Sequence, residues 1–261
     1  MVAWQWQDPP LTPRLHSVSH LRRNRRHGLQ TPLTPRPRAT SRANSTRPPQ
    51  KQFPAAMGRS YLNREEQMID FQRKQRVIWN ALSGREYTLV AVDLIDPTET
   101  VIAQVTSICN EPLVHESLFR RILSDKPYPP SMAADWLARG ADGWKKNSHF
   151  VFGIVDQEGR IAAACDIKSA DASWAEVGYW SSASHSGVMT NAIVGLIDLA
   201  REAGFEHLFA ETQKTNVRSQ GVLCRAGFAL SDEKPLRGNH YIVFSINTQT
   251  ANQTQHSTAR G

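Results

Sequence analysis

The sequence predicts an α+β (mixed α/β) domain: a central mixed sheet, mostly antiparallel, with one parallel strand pair and flanking helices. Three observations carry this prediction. Between residues 149 and 180, short apolar runs follow one another across a tight turn, which marks an antiparallel meander. Between 174 and 212 a strand, a helix and a second strand come in order, a crossover long enough for the two strands to lie parallel, with a right-handed connection. No apolar run approaches the ~18–20 residues that span a bilayer, which excludes a helical membrane protein and leaves 40% hydrophobic content for a packed core.

Charge divides the chain before any element is placed. The net charge of +7 belongs to the first stretch: residues 1–56 hold nine Arg and Lys51 against Asp8 alone, and the remainder is mildly acidic. That stretch, with "PLTPRPRATSRANSTRPPQ", has neither a helical nor a strand period. It is expected to be a disordered tail over 1–58, because it cannot bury enough apolar area to offset its ordering entropy. Three readings stand for it: an Arg- and Ser-rich transit peptide, a basic arm that touches nucleic acid or a ribosome, or an upstream stretch ahead of a true start at Met57. The N-terminus has no apolar h-region of a secretory signal, so the cytoplasm is expected, or an organelle stroma or matrix if 1–56 is a transit peptide. Cys109, Cys165 and Cys224 are far apart, with no CxxC spacing and no nearby histidine pair. They read as reduced thiols and imply no metal.

The elements follow in chain order. Over 61–82, "YLNREEQMIDFQRKQRVIWNAL" reads as an amphipathic helix with Met68, Phe71, Val77 and Ile78 on one stripe, the core of a segment bounded at 59–84. It is a candidate contact for a second subunit, and monomer and homodimer both stay open. The domain proper is expected over 85–247. It starts with a strand at 86–95 and a helix that Asp96 would cap, with Pro97 in its first turn. A second helix spans 129–146, Ser131 its candidate cap and Trp136, Leu137 and Trp144 its packing face. Two strands then meet at a turn over 156–159, and a third follows at 174–180. The helix over 188–203 repeats Val188, Ala192, Ile193, Leu196, Ile197 and Ala200 at helical spacing and stops at Gly204. A strand at 207–212 and a short helix follow, the helix with Asn216 as N-cap and Gly227 just beyond its end. A last strand at 239–246 precedes a frayed tail over 248–261.

The chemistry gathers at "SASHSGVMTNAI", residues 182–193. A helix start after a parallel strand offers free N–H groups and the positive end of a dipole, which suits phosphate oxygens. Gly187 permits close backbone approach, and Ser182, Ser184 and Ser186 are small donors. Taken alone these features are common to many strand–helix turns.

A second stretch gives them a direction. "EVGYWSSASHSGVMTNAI" and "FAETQKTNVRSQGVLCRAGF" together resemble the GNAT superfamily of acetyl-CoA-dependent N-acetyltransferases, closest to the branch of the ribosomal-protein N-terminal acetyltransferases. Gly178-Tyr179-Trp180, Gly187 with Met189-Thr190, and Asn216-x-x-Ser219-x-x-Val222-Leu223-x-x-x-Gly227-Phe228 carry the likeness, which spans 85–246 and none of the first 60 residues. The resemblance implies an acyltransferase that binds acetyl-CoA as co-substrate, without metal or membrane, and acetylates a primary amine. The strands at 174–180 and 207–212 are then expected to splay. The pantetheine arm would lie along Val177, Tyr179 and Trp180, and the pyrophosphate on amides of Ser182, His185, Ser186, Gly187 and Val188, with Met189, Thr190, Asn216 and Ser219 completing the cofactor site.

The likeness is imperfect at the phosphate loop. The family pattern Q/R-x-x-G-x-G/A falls on Ser182, His185 and Gly187, so one of three positions is kept, and His185 brings a side chain where glycine is usual. Many relatives have a tyrosine acid where this chain has Leu223, and Ser219 is the substitute the branch suggests. For the general base the resemblance points to Glu211, with Glu176 second and Glu233 third. The amides of Tyr179 and Trp180 are candidate donors to the thioester carbonyl. A rival expectation, drawn from Ser182, His185 and Leu223, is a catalytically weakened protein of this fold that binds CoA, or binds RNA or a ribosome through its basic tail.

Overall fold

A computed structural model describes residues 69–250. The expected tail over 1–58, the start of the 59–84 segment and residues 251–261 lie outside the described residues, and with them the tail's nucleic-acid contact. Eight strands form one sheet: β1 (Gln75–Trp79), β2 (Glu86–Ala91), β3 (Phe150–Asp156), β4 (Ile161–Ile167), β5 (Ala175–Ser181), β6 (His207–Gln213), β7 (Ala229–Ser231) and β8 (Tyr241–Asn247). Their spatial order is β1-β2-β3-β4-β5-β6-β8-β7, antiparallel at every step except β5–β6, which is parallel. Helices α1 (Glu99–Cys109) and α3 (Pro130–Lys146) cover β4 and β3. Helix α4 (Val188–Glu202) packs on β1, β2 and β4 and meets α5 (Val217–Arg225). A one-turn helix, α2 (Pro112–Val114), runs into a π-turn at His115–Phe119.

The helix expected over 61–82 is corrected in its described part. Residues 75–79 form an edge strand, tied to α4 by Arg76–Asp198 at 2.6 Å and by Asn191 Nδ2 donating to the Trp79 carbonyl at 2.6 Å. Of the four apolar residues of the expected stripe, only Val77 and Ile78 fall in the strand, and two adjacent residues fix no period. The adjacent β-branched Val77 and Ile78 suit a strand, and with Ile78 buried and Val77 and Trp79 exposed the residues alternate. The sheet therefore begins before residue 85.

Two caps also move. Thr98, not Asp96, accepts from Val101 N at 3.3 Å and starts α1, and α3 starts at Pro130 with Pro129 in the capping position rather than Ser131. Thr248, where the frayed tail is expected to begin, is buried, and its hydroxyl donates to the Phe205 carbonyl. Trp136 and Trp144 are packing residues as expected. The first meets Trp180 at 5.6 Å between ring centroids, and the second meets Phe150 and Phe152 at 5.1 Å. Asn216 caps α5 through Ser219 N at 3.2 Å, and Gly227 takes the left-handed φ of +97° beyond it.

Candidate active site between the parallel strands

β5 and β6 pair only at Ala175↔Leu208 and Glu176↔Phe209, then part. The ladder on the other side of β5 fixes which way its backbone points. Lys168 N donates to the Glu176 carbonyl at 2.9 Å and Ser182 N to the Ala162 carbonyl at 3.0 Å. Since antiparallel pairs alternate, Gly178 and Trp180 also turn their peptide groups to β4. Val177, Tyr179 and Ser181 turn theirs into the gap that β6 has left. Trp180's amide is therefore committed to the sheet and not to a thioester carbonyl, which corrects that expectation. Tyr179's amide does face the gap.

A cavity of about 400 Å³ opens beside this edge, lined by Leu113, Ser117, Tyr179, Ser181 and Ser182, by the start of α4 and by one face of α5. Inside it Tyr179 Oη lies 2.6 Å from Ser219 Oγ, and it also donates to the Ser219 carbonyl at 3.1 Å. Both residues are buried, and burial pushes the phenol's pKa up, so Tyr179 is protonated at neutral pH. The α5 cap at Asn216 sets the first turn that carries Ser219.

The loop before α4 is held by its own chain. Glu111, between α1 and α2, accepts from Ser182 Oγ at 2.5 Å and from Ala183 N at 2.6 Å, so a carboxylate already sits on the first amide of the loop. His185 Nδ1 lies 2.8 Å from Tyr87 Oη, in the sheet. Asn80 Nδ2 donates to the Ser186 carbonyl at 3.0 Å, and Ala81 N to the Gly187 carbonyl at 3.2 Å. Gly187 has φ +96°, and a Cβ there would stand 2.6 Å from Asn80 Oδ1 and 2.7 Å from Leu82 Cγ. The glycine is thus required by the β1–β2 turn pressed against it. Beyond it the first amides of α4 have no partner within the helix.

The other face of β5 is charged. Glu176 pairs with Lys168 Nζ at 2.7 Å and with Arg237 Nη2 at 2.7 Å. Glu211, fully buried, accepts from Leu236 N at 2.5 Å, Arg237 N at 3.1 Å and Arg237 Nη1 at 3.2 Å, and so holds the β7–β8 loop. Asp166, opposite Gly178, is buried with Oδ1 unpartnered. Burial pushes its pKa up to about 6, against the pull of Lys168. Glu233 is exposed in the loop after β7.

Of the residues expected from sequence, Tyr179, Ser182, Ser186, Gly187, Met189, Asn216 and Ser219 meet on the cavity wall. Val177, Trp180, His185, Val188 and Thr190 are not on that wall, and Glu176 and Glu211 lie across the strand from it. Arg218 and Arg225 line the cavity and were not singled out, although their seven-residue spacing on α5 was visible. Glu111 and Asp166 were also missed, and nothing in their local sequence marks them. Among the described residues no cluster of His, Cys, Asp and Glu suits a metal, and no helix is long and apolar enough to cross a membrane.

A mixed sheet that opens between two parallel strands, beside a helix N-terminus and a cavity, is the arrangement of a GNAT-type α+β fold. The sequence profile of the acetyltransferase (GNAT) domain matches residues 92–229, and the chain belongs to that family. No curated protein sequence matches it. Among solved structures, a Vibrio cholerae protein assigned as a ribosomal-protein-serine acetyltransferase aligns over 64% of this chain and 95% of its own, with a TM-score of 0.50 and 19% identity. RimL, the ribosomal L7/L12 α-N-protein acetyltransferase, in complex with coenzyme A, aligns over 66% and 98%, with a TM-score of 0.51 and 15% identity. At these identities the likeness speaks for the fold.

Proposed function

We propose that this chain is an acetyl-CoA-dependent N-acetyltransferase that acetylates a primary amine, of a protein N-terminus or a small molecule, by direct attack in a ternary complex. The observation that carries the reading is the open edge of β5, with peptide groups of Val177, Tyr179 and Ser181 turned into the gap, and Tyr179 and Ser181 lining a cavity that ends at a helix N-terminus. An extended arm with amide groups, such as pantetheine, adds to such an edge as a strand does. The amide of Tyr179 then polarises the thioester carbonyl, and the helix start receives the diphosphate.

In the transfer a C–N bond forms and the C–S bond breaks. Ser219 gives its hydroxyl proton to the leaving sulfur and regains one from solvent, which takes up the proton that the amine loses, while Tyr179 Oη, 2.6 Å away and still protonated, holds the serine hydroxyl in place. The amine's proton leaves toward the carboxylates of Glu176, Glu211 and Asp166 on the far face. With both oxygens of Glu211 already accepting bonds, its part is tested by E211Q. Turnover at least about tenfold lower with acetyl-CoA affinity kept marks Glu211 as the base, and an unchanged rate removes it from that role.

Glu111 on the loop amide favours a second reading, a CoA-binding protein that does not catalyse. Thiol release from acetyl-CoA, measured against a panel of peptide N-termini and small amines, separates the two. Amine-dependent release with intersecting two-substrate plots is expected. Binding of acetyl-CoA without release under any amine contradicts the enzyme.

A further inference from the structure

We infer that the diphosphate of the acyl-CoA is gripped in this chain by arginines of α5, Arg225 first and Arg218 with it, because the first half of the loop that would cradle it is filled from within. The inference rests on the acetyl-CoA reading above. Glu111 occupies the Ala183 amide and the Ser182 hydroxyl, and His185 is turned to Tyr87. What remains for a phosphate is the end of the loop at Gly187 and the first turn of α4, whose helix end amounts to about half a positive charge. A diphosphate carries more negative charge than that, and the Glu111 carboxylate stands nearby with the same sign. A cation has to make up the difference.

Arg225 is placed for it. The residue lines the cavity, and its Nε donates to Thr190 Oγ1 at 3.3 Å, which holds the guanidinium at the first turn of α4. One turn earlier on α5, Gly221 leaves room for it: a Cβ there would stand 3.0 Å from Arg225 Nη1. Its charge is felt inside the cavity, where it opposes the rise that burial imposes on the Tyr179 phenol. Arg218 lies seven residues, or two turns, before it on the same face and lines the same cavity. Neither arginine forms an ion pair among the described residues, whereas Arg76, Lys168, Arg201 and Arg237 all do. A guanidinium fork matches phosphate oxygens two at a time, which makes Arg225 the natural replacement for the loop's missing donors.

The test is calorimetric titration of the full chain and its R225A, R225K and R218A variants with two ligands. One is acetyl-CoA, and the other is S-acetylpantetheine, which lacks every phosphate. For R225A the expected result is a loss of about tenfold or more in acetyl-CoA affinity, with S-acetylpantetheine affinity kept. R225K recovers part of the loss, as a point charge without the fork. R218A shows a smaller loss that fades as salt rises. Equal acetyl-CoA affinity in wild type and R225A overturns the inference and leaves the acetyltransferase reading standing. So does an equal loss of both ligands, which would mark Arg225 as a packing residue. Wild type that binds no acetyl-CoA overturns the acetyltransferase reading itself.

Discussion

The two faces of β5 differ in how their polar groups are held. On the cavity face, Tyr179, Ser181 and Ser219 are neutral hydroxyls, and the strand's amides face open space. On the opposite face Glu176, Glu211, Lys168 and Arg237 are locked into one another, and only Asp166 keeps an oxygen without a partner. One strand thus carries an unfinished hydrogen-bonding surface on one side and a nearly finished ionic one on the other. The first is what an incoming molecule completes. The second already stabilises the fold, and its removal is the more costly.

The largest effect is expected from R237A. It leaves the buried Glu211 and half-buried Glu176 without their shared cation, and breaking a buried pair costs about 3–5 kcal/mol. A denaturant midpoint far below wild type, with an unchanged slope, is the expected result. A drop under about 1 kcal/mol would show that the network is solvated, as surface pairs are.

Asp166 gives a second, pH-dependent effect. Its folded pKa of about 6 lies above the unfolded value of 3.8, so the folded state binds the proton more tightly. Stability is therefore fully favoured below the unfolded value and lost as pH rises through about 6, by on the order of 2–3 kcal/mol. D166N removes the titration. Its stability relative to wild type should be greater at pH 7 than at pH 4, checked by chemical denaturation at both. A pH-independent difference would mean the carboxyl is not buried charged.

The cavity face gives the smallest change in free energy and the sharpest in rate. S219A and Y179F are each expected to lower turnover about tenfold, close to 1.4 kcal/mol, with acetyl-CoA affinity kept. Because the two hydroxyls act as one unit, the double variant should be little slower than either single one. Additive losses in steady-state assays would separate their roles.

Legibility in the sequence follows the same division. The meander, α4, β6, α5 and β8 were readable because each repeats its apolar residues at one clear period between turn signals. Asn216 and Gly227 were readable because a cap and a left-handed stop are local. β1 was not, since its apolar residues Val77, Ile78 and Trp79 are consecutive and mark no period, and its position depends on Asp198 and Asn191, more than a hundred residues away. Glu111 escaped notice for the same reason: its partners are Ser182 and Ala183. Gly187 was found, but its neighbour is the turn at Asn80 and Leu82, which only the fold brings to it. Glu211 was found as a chemical group, and its engagement with Arg237 depends on a loop 26 residues on.

Amide hydrogen exchange of the full chain, with and without acetyl-CoA, tests the central claim most directly. The account predicts added protection at Tyr179, at the first turn of α4 and along α5, with the ladder amides of Gly178 and Trp180 little changed. Protection confined to other segments, or none at saturating acetyl-CoA, would contradict it.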